Sequence, residues 1–444
     1  MGAYVSNILF GILFFSLVGL FTRNIRRVIR NIKLGTAANR YDQPKKRWLH
    51  MARIALGQSK MVRKPLSGLL HVIVYVGFVV INIELLEIIV DGFLGTHRVF
   101  APFLGGFYNV LIATFEVFAA LVLVSVILFW TRRNVMRIKR FWRAEMIGWP
   151  KWDADIILYA EVVLMGLFLT MNASDYWLQI NTQDPHYLTA GSFPVSQWIL
   201  PLFDGLGVAQ VVAVERISWW LHITGILLFL NYLYYSKHLH IILAFPNTWF
   251  AKLAPQGQFT NMPEVTDEVK LMLDPNADPY AAPASDVAPS TFGAADVADL
   301  NWVQLMNAYS CTECGRCTAE CPASQTGKKL SPRKIMMDTR DRLSEVGAAL
   351  NKGKQPNANT LLDNYISREE LWACTSCNAC VEACPIAIDP LSIISDMRRY
   401  LVMEQSAAPT GLNNMMSNVE NNGAPWPFNR QDRIAWRDEI NISK

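Results

Sequence analysis

The sequence predicts an all-α protein in two parts. A bundle of five transmembrane helices, amino terminus out and carboxyl terminus in, precedes a helical domain built around eight cysteines. Three observations predict it. The 444 residues are 52% hydrophobic and 18% charged, with positive mean hydropathy, as in a membrane protein carrying a soluble appendage. Five apolar stretches reach about twenty residues, the length that crosses a bilayer core. All eight cysteines fall in two copies of one short motif near the carboxyl end. The net charge of +4 decides little; its distribution decides more.

The first span covers residues 3–21 and ends in Arg23, Arg26, Arg27 and Arg30. With no basic leading segment and no small-residue cleavage site, it reads as an uncleaved span rather than a signal peptide. Met1-Gly2-x3-Ser6 matches a myristoylation pattern, but it runs straight into a bilayer-length helix that needs no lipid anchor. The other spans lie near 66–90, 107–130, 154–174 and 216–238. Residues 22–64 are densely basic with one acid, Asp42, and 131–151 repeat this with Arg132, Arg133, Arg137, Lys139, Arg140, Arg143 and Lys151. The segments after spans two and four hold almost no Lys or Arg, so the positive-inside rule orients the chain. The cysteines then face the cytoplasm of a bacterial inner membrane. Trp130, Trp149, Trp152, Trp177, Trp219 and Trp220 fit interfacial belts.

The membrane domain is expected over 1–245. Residues 246–300, rich in Ala, Pro and Asp with Asp274-Pro275, Asp278-Pro279 and Ala282-Pro283, read as an extended tether. The cysteine domain is expected over 301–402, and the tail 403–444 as a docking segment for a partner.

The cysteine motifs are Cys311-x2-Cys314-x2-Cys317-x3-Cys321-Pro322 and Cys374-x2-Cys377-x2-Cys380-x3-Cys384-Pro385. This is the spacing with which bacterial-type ferredoxins hold two [4Fe–4S] clusters. Three thiolates in a tight loop face three irons of a cubane, and the fourth iron takes its ligand from the other motif. Cys311, Cys314, Cys317 and Cys384 form one expected set; Cys374, Cys377, Cys380 and Cys321 form the other. Structural zinc favours paired CxxC knuckles, which would leave a third cysteine surplus in each motif. Disulfides do not suit a cytoplasmic domain. The 52 residues between the motifs suit a helical ferredoxin. Ser331-Pro332, the capping box Ser367-x2-Glu370, and Asp389-Pro390 are helix starts within and after that interval.

A histidine inside a span is informative, because lipid offers its nitrogens nothing. His71 lies in the second span and His222 in the fifth, with His238 and His240 at the fifth span's inner end. Imidazoles from two helices suit the two faces of a b-type haem. His240 follows His222 by eighteen residues, about 27 Å at the helical rise, so depth pairs His71 with His240 or His238. His222, expected toward the outer side, suggests a second haem, yet the second span offers Asn82, Glu84 and Glu87 there. Its partner is His97 from an outer loop, or none; the plainer alternative is a bundle histidine near a quinone head-group. His50 and His186 read as surface residues. Glu116, Glu161, Asn82 and Asn172 serve either proton uptake by a quinone or hydrogen bonding between helices.

The five spans with these histidines resemble the gamma-subunit membrane domain of respiratory nitrate reductase, a cytochrome b-type bundle. Pro65-x5-His71-x5-Gly77-Phe78 and Ser236-Lys237-His238-Leu239-His240 resemble the related domain of membrane-bound heterodisulfide-reductase-like Fe–S oxidoreductases. In that family the last His of the pattern ligates haem, which favours His240 over His238. Residues 311–402, with Glu370-Leu371-Trp372 and Arg398-Arg399, resemble the iron–sulfur subunit of heterodisulfide reductase. In many relatives a sequence like Glu420-Asn421-Asn422-Gly423-x-Pro425-Trp426 leads into a further domain with Cys-Cys-Gly motifs. No such cysteine occurs here, so that chemistry is expected of another polypeptide or is absent.

No glycine-rich phosphate loop follows a strand, no Ser/His/Asp set offers a nucleophile, and no nucleic-acid partner is expected. The reading is an electron-transfer subunit with no catalytic residue of its own. It joins a menaquinone-type pool, one or two b haems and two [4Fe–4S] clusters to a soluble partner. The resemblance implies a Cys-Cys-Gly protein or an electron-transfer flavoprotein as that partner, and Lys328, Lys329, Arg333 and Lys334 are candidates to dock it. The alternative is a membrane anchor for a dehydrogenase with a vestigial haem site. A disulfide reductase complete in itself is disfavoured, because no cysteine remains after the eight ligands.

Overall fold

The computed structural model describes residues 4–276, 291–428 and 430–440. Five of its helices are long and apolar enough to cross a membrane. They are α1 (Val5–Ile32), α3 (Pro65–Leu94), α4 (Gly106–Asn134), α5 (Trp149–Asn181) and α6 (Val208–Tyr232), with the amphipathic α2 (Pro44–Met51) between the first two. Packing closes them into a ring: α1 meets α3, then α4, α5 and α6 follow in turn, and α6 returns to α1. Small residues allow the close approaches that bundles in lipid depend on. A Cβ at Gly92 on α3 would sit 2.7 Å from the Phe10 ring of α1.

After the bundle come α7 (His240–Trp249), α8 (Pro263–Leu273), α9 (Trp302–Ser310), α10 (Pro332–Asn351), α11 (Arg368–Trp372), α12 (Pro390–Met403) and α13 (Thr410–Asn422). Among the described residues there are isolated bridges but no strand. The three expected start signals operate. The Ser331 side chain accepts from the Lys334 N–H, Ser367 and Glu370 form a capping box, and Asp389 accepts from the Ser392 N–H.

The structure corrects several boundaries. Helix α1 does not stop near residue 21. Its 28 residues span about 42 Å at the helical rise, more than a bilayer core requires. The surplus turns carry Val28 and Ile32 into the hydrophobic core of the cysteine domain, where Asn31 donates to the Tyr309 hydroxyl at 2.8 Å. Helix α6 begins at Val208, not 216, so Trp219 and Trp220 are mid-helix. They pack on Phe10 at 5.7 and 6.3 Å between ring centres instead of marking an interface.

The segment read as a tether is ordered at both of its described ends. It begins inside α7, and Ala294, Val297 and Leu300 are buried in the cysteine-domain core. Apolar residues spaced by three along an Asp-rich stretch supply that anchorage without raising its mean hydropathy. Asp278-Pro279 and Ala282-Pro283 lie outside the described residues, as do Met1 and Gly2.

The two parts are joined by buried ion pairs. Arg333 on α10, its side chain fully buried, donates to the Glu145 carboxylate and to the Arg140 carbonyl, both at 2.7 Å, in the loop between α4 and α5. Burial works to raise the Glu145 carboxyl, but hydrogen bonds from Arg333 and Ser331 hold it below the usual range. A carboxyl depressed in this way stabilises the folded state above its unfolded value, about 4.3 for Glu. The contribution is lost as pH falls through the lower folded value. Acidification below the ordinary carboxylate range is expected to loosen this junction. Glu145→Gln strands Arg333 as a buried cation and is expected to cost about 3–5 kcal/mol. A lowered thermal midpoint with weaker acid sensitivity checks it; an unchanged midpoint refutes it.

Candidate electron-transfer site

The two cysteine loops fold alike. Glu313 and Ser376, each the residue before the second cysteine, have φ of 53° and 57°. Gly315 and Asn378, each the residue after it, have φ of 71° and 61°. Such left-handed turns curl a loop so that backbone N–H groups point toward its centre, a geometry suited to anionic sulfur. The N–H groups of Ser376 and Ile388 donate to the sulfurs of Cys374 and Cys384 at 3.4 and 3.3 Å. Gly315 is needed for space as well, since a Cβ there would lie 2.5 Å from an Arg333 nitrogen.

The structure brings Cys384 of the second motif beside Cys311, Cys314 and Cys317, within electrostatic reach of one another. It likewise brings Cys321 beside Cys374 and Cys380. Burial pushes the Cys311 thiol up to about 12 and Cys384 to about 11, with neighbouring thiols adding to the effect. Thiols raised in this way become thiolates only with cationic metal among them, and the two four-cysteine sets fit two clusters. Among the described residues no three Cys, His or carboxylate side chains converge closely enough to hold a single metal ion.

The first motif meets the bundle at a short strap and at the segment before α3. After α6, residues 236–239 form a tight turn leading into α7. The Lys237 ammonium donates to the Glu313 carboxylate inside the first cysteine loop and to the Pro150 carbonyl, while its backbone N–H donates to Asp153 at 3.0 Å. Arg340 holds the other Glu313 oxygen at 2.6 Å. Arg316, between two cysteines of the same motif, reaches the Lys60 and Met61 carbonyls just before α3. Nothing in the composition announces this junction. The readable signals were an acid and an arginine inside a cysteine loop and a lysine beside the histidines.

On the membrane side of the strap lie His71, His238 and His240, within electrostatic reach of one another. The rings of His238 and His240 are 5.5 Å apart. His240 Nδ1 faces the Lys237 carbonyl at 3.0 Å, which leaves Nε2 for a metal. His71 Nδ1 is buried with no hydrogen-bond partner. Burial, with the other two imidazoles adding, lowers His238 to about 3, and burial lowers His240, so both are neutral and have a lone pair to donate. These residues fit a bis-histidine haem.

His222 lies near the middle of α6 rather than toward its outer end, because the helix starts earlier than expected. Its Nδ1 faces the Leu164 carbonyl of α5 at 3.1 Å. His97 is not beside it. His97 Nε2 pairs with Asp175 of α5 at 2.9 Å, eleven residues beyond Leu164 and hence about 16 Å away along the helix. The exposed His186 lies against His97, their rings tilted and 4.9 Å apart. His50 is half-buried, its Nδ1 against the Thr248 carbonyl of α7 at 2.8 Å.

Of the polar groups singled out in the spans, Glu116 accepts from the Val195 and Ser196 N–H groups, Asn172 accepts from Arg98, and Asn82 bonds within its own helix. Arg333 is buried in the junction and Lys334 is engaged with Asp338 and Glu370, so neither is free to dock a partner. Lys328 and Lys329 are exposed. Arg398 closes the second motif, donating to the Leu371 and Cys374 carbonyls and stacking on Trp372 at 5.0 Å.

Residues 310–388 match the 4Fe–4S dicluster domain family. The chain is 28% identical to the probable iron–sulfur-binding oxidoreductase FadF of Bacillus subtilis, over 95% of its own length and 59% of the relative's. It is 26% identical to the EtfAB:quinone oxidoreductase of Syntrophomonas wolfei, over 87% of its length and 53% of the relative's. A component polypeptide of the dihydromethanophenazine:CoB–CoM heterodisulfide reductase of Methanosarcina acetivorans is 27% identical, over 32% of the chain and 35% of the relative. The chain is thus similar to iron–sulfur and quinone oxidoreductases and, over about a third of its length, to a heterodisulfide reductase polypeptide. It spans between half and two thirds of the length of the first two of these relatives. No solved structure matches.

Proposed function

We propose that the chain carries electrons between a menaquinone-type pool and a soluble redox partner, through b-type haem in the bundle and two [4Fe–4S] clusters in the helical domain. The strap 236–240 carries this reading. It holds His240 within electrostatic reach of His71 on one side and fastens Lys237 to Glu313 of the first cysteine loop on the other. His71 and His240 would hold the haem, and the two cysteine sets the clusters; bound there, these groups supply one-electron chemistry.

One haem is proposed, because no second imidazole stands at the level of His222 among the described residues. The cluster near the strap is the membrane-side one. The other set includes Cys377, exposed at the surface and suited to meet a partner. The arginines at 23, 26, 27 and 30 crowd the end of α1 that bears the cysteine domain, which favours a cytoplasmic position for it. An electron-transfer flavoprotein or a Cys-Cys-Gly protein is the partner class proposed, the former in keeping with the name of the Syntrophomonas relative.

A redox titration of the purified chain, followed by optical and electron paramagnetic resonance spectroscopy with a pyridine haemochrome assay, tests this. One b haem and two cubanes are expected. A protein with clusters but no haem overturns the relay and leaves a membrane anchor.

A further inference from the structure

The end of the bundle farthest from the cysteine domain holds a buried polar row that the electron path does not use. Glu84, Glu87 and Asp91 lie on one face of α3 and are all buried. Asp91 accepts from the N–H groups of Arg98 and Val99, and Glu87 from the Phe100 N–H and the Tyr108 hydroxyl, both at 2.8 Å. The Arg98 guanidinium donates to Tyr108 at 3.0 Å and to Asp175 at 2.7 Å. Asp175 in turn meets His97, whose ring lies against exposed His186.

Glu84 differs from its neighbours. It is 3% exposed, its buried Oε2 has no hydrogen-bond partner, and it lies within electrostatic reach of Arg98, Glu87, Glu116 and Asp175. Two further buried polar atoms beside this row, Glu116 Oε1 and Asn172 Nδ2, also lack partners. Arg98 is already committed to Asp175, so it offsets one carboxylate and not the rest. An ionised Glu84 would be a buried charge with an oxygen that nothing hydrogen-bonds. It is built to carry a proton rather than a fixed charge. The three unpartnered atoms are two carboxyl oxygens and an amide nitrogen, the kinds of group that hydrogen-bond a hydroquinone.

We propose that Glu84 exchanges protons with the quinone, on the side of the bundle where Glu87, Tyr108, Arg98, Asp175 and His97 form a polar row. The inference rests on the quinone-linked reading above. Oxidation of one quinol releases two electrons, taken up one at a time by the chain's iron centres, and two protons. Both protons pass through Glu84 and leave at that end of the bundle, and quinone reduction draws them in through the same carboxyl. Charge separation follows from the geometry. Glu84 is thirteen residues from His71 on α3, about 20 Å along the axis, so electrons and protons depart toward opposite ends.

The test uses the full purified chain with its cofactors, a soluble naphthoquinol, and stopped-flow detection of haem reduction. Glu84→Gln is expected to slow quinol-driven reduction by at least about tenfold, as loss of a proton-transferring group does. Reduction by dithionite should be unchanged, and Glu84→Asp should restore part of the rate. In the wild-type chain, reduced-minus-oxidised infrared spectra should show a protonated-carboxyl band that shifts in D2O; this readout does not depend on a variant folding. Equal quinol rates in wild type and Glu84→Gln, or no such band, overturn the proton path alone. A wild-type chain whose haem is reduced by dithionite but never by quinol overturns the quinone reading and this inference with it.

Discussion

Replacing Cys384 with serine is expected to remove the cluster of the first motif, not that of the motif in which Cys384 lies. The reason is spatial: its thiol stands with those of Cys311, Cys314 and Cys317. Roughly four of eight iron atoms per chain should be lost, leaving one paramagnetic species on reduction. The cross-check is a pair of double variants. Adding Cys314→Ser to Cys384→Ser should remove no further iron, whereas adding Cys377→Ser should remove the remainder. The reverse pattern in iron and sulfide analysis would show that each motif keeps its own fourth cysteine. Cys321→Ser should give the mirror result.

The second large effect concerns haem. His71→Ala and His240→Ala are each expected to abolish the bound haem, because removing either axial imidazole leaves the iron held from one face only. His238→Ala should retain it, since His240 is the residue whose Nδ1 is oriented by the Lys237 carbonyl. His222→Ala should also retain it. Haem per chain from the pyridine haemochrome assay decides each case. Retention in His240→Ala with loss in His238→Ala would reverse the assignment within the strap. Loss in His222→Ala would require a second haem with an unforeseen partner.

Much of this molecule is legible from residues alone, and the reasons differ by element. The spans are readable because lipid imposes a length and an apolar composition on any helix that crosses it. Helix starts such as Ser331-Pro332 and Ser367-x2-Glu370 are readable because capping is local chemistry. The ends of α1 and α6 were not. Whether a helix continues past the apolar run depends on what receives it, and for α1 that is a core formed by residues more than 250 positions away. The role of Arg333 was unreadable for the same reason. A basic residue on an amphipathic helix looks solvated until a distant Glu145 is found beside it.

The spacing of the cysteines and the presence of histidines in apolar runs determined the kind of chemistry, because iron ligation demands particular donors at particular intervals. Tertiary structure alone decided which distant groups stand together: Lys237 joining the histidine strap to Glu313, Arg333 beside Glu145, His97 tied to Asp175 instead of facing His222. Ligand type is a property of the residue. Adjacency belongs to the folded chain, where separations of tens to hundreds of residues close to hydrogen-bond distance and no local pattern records which ones do.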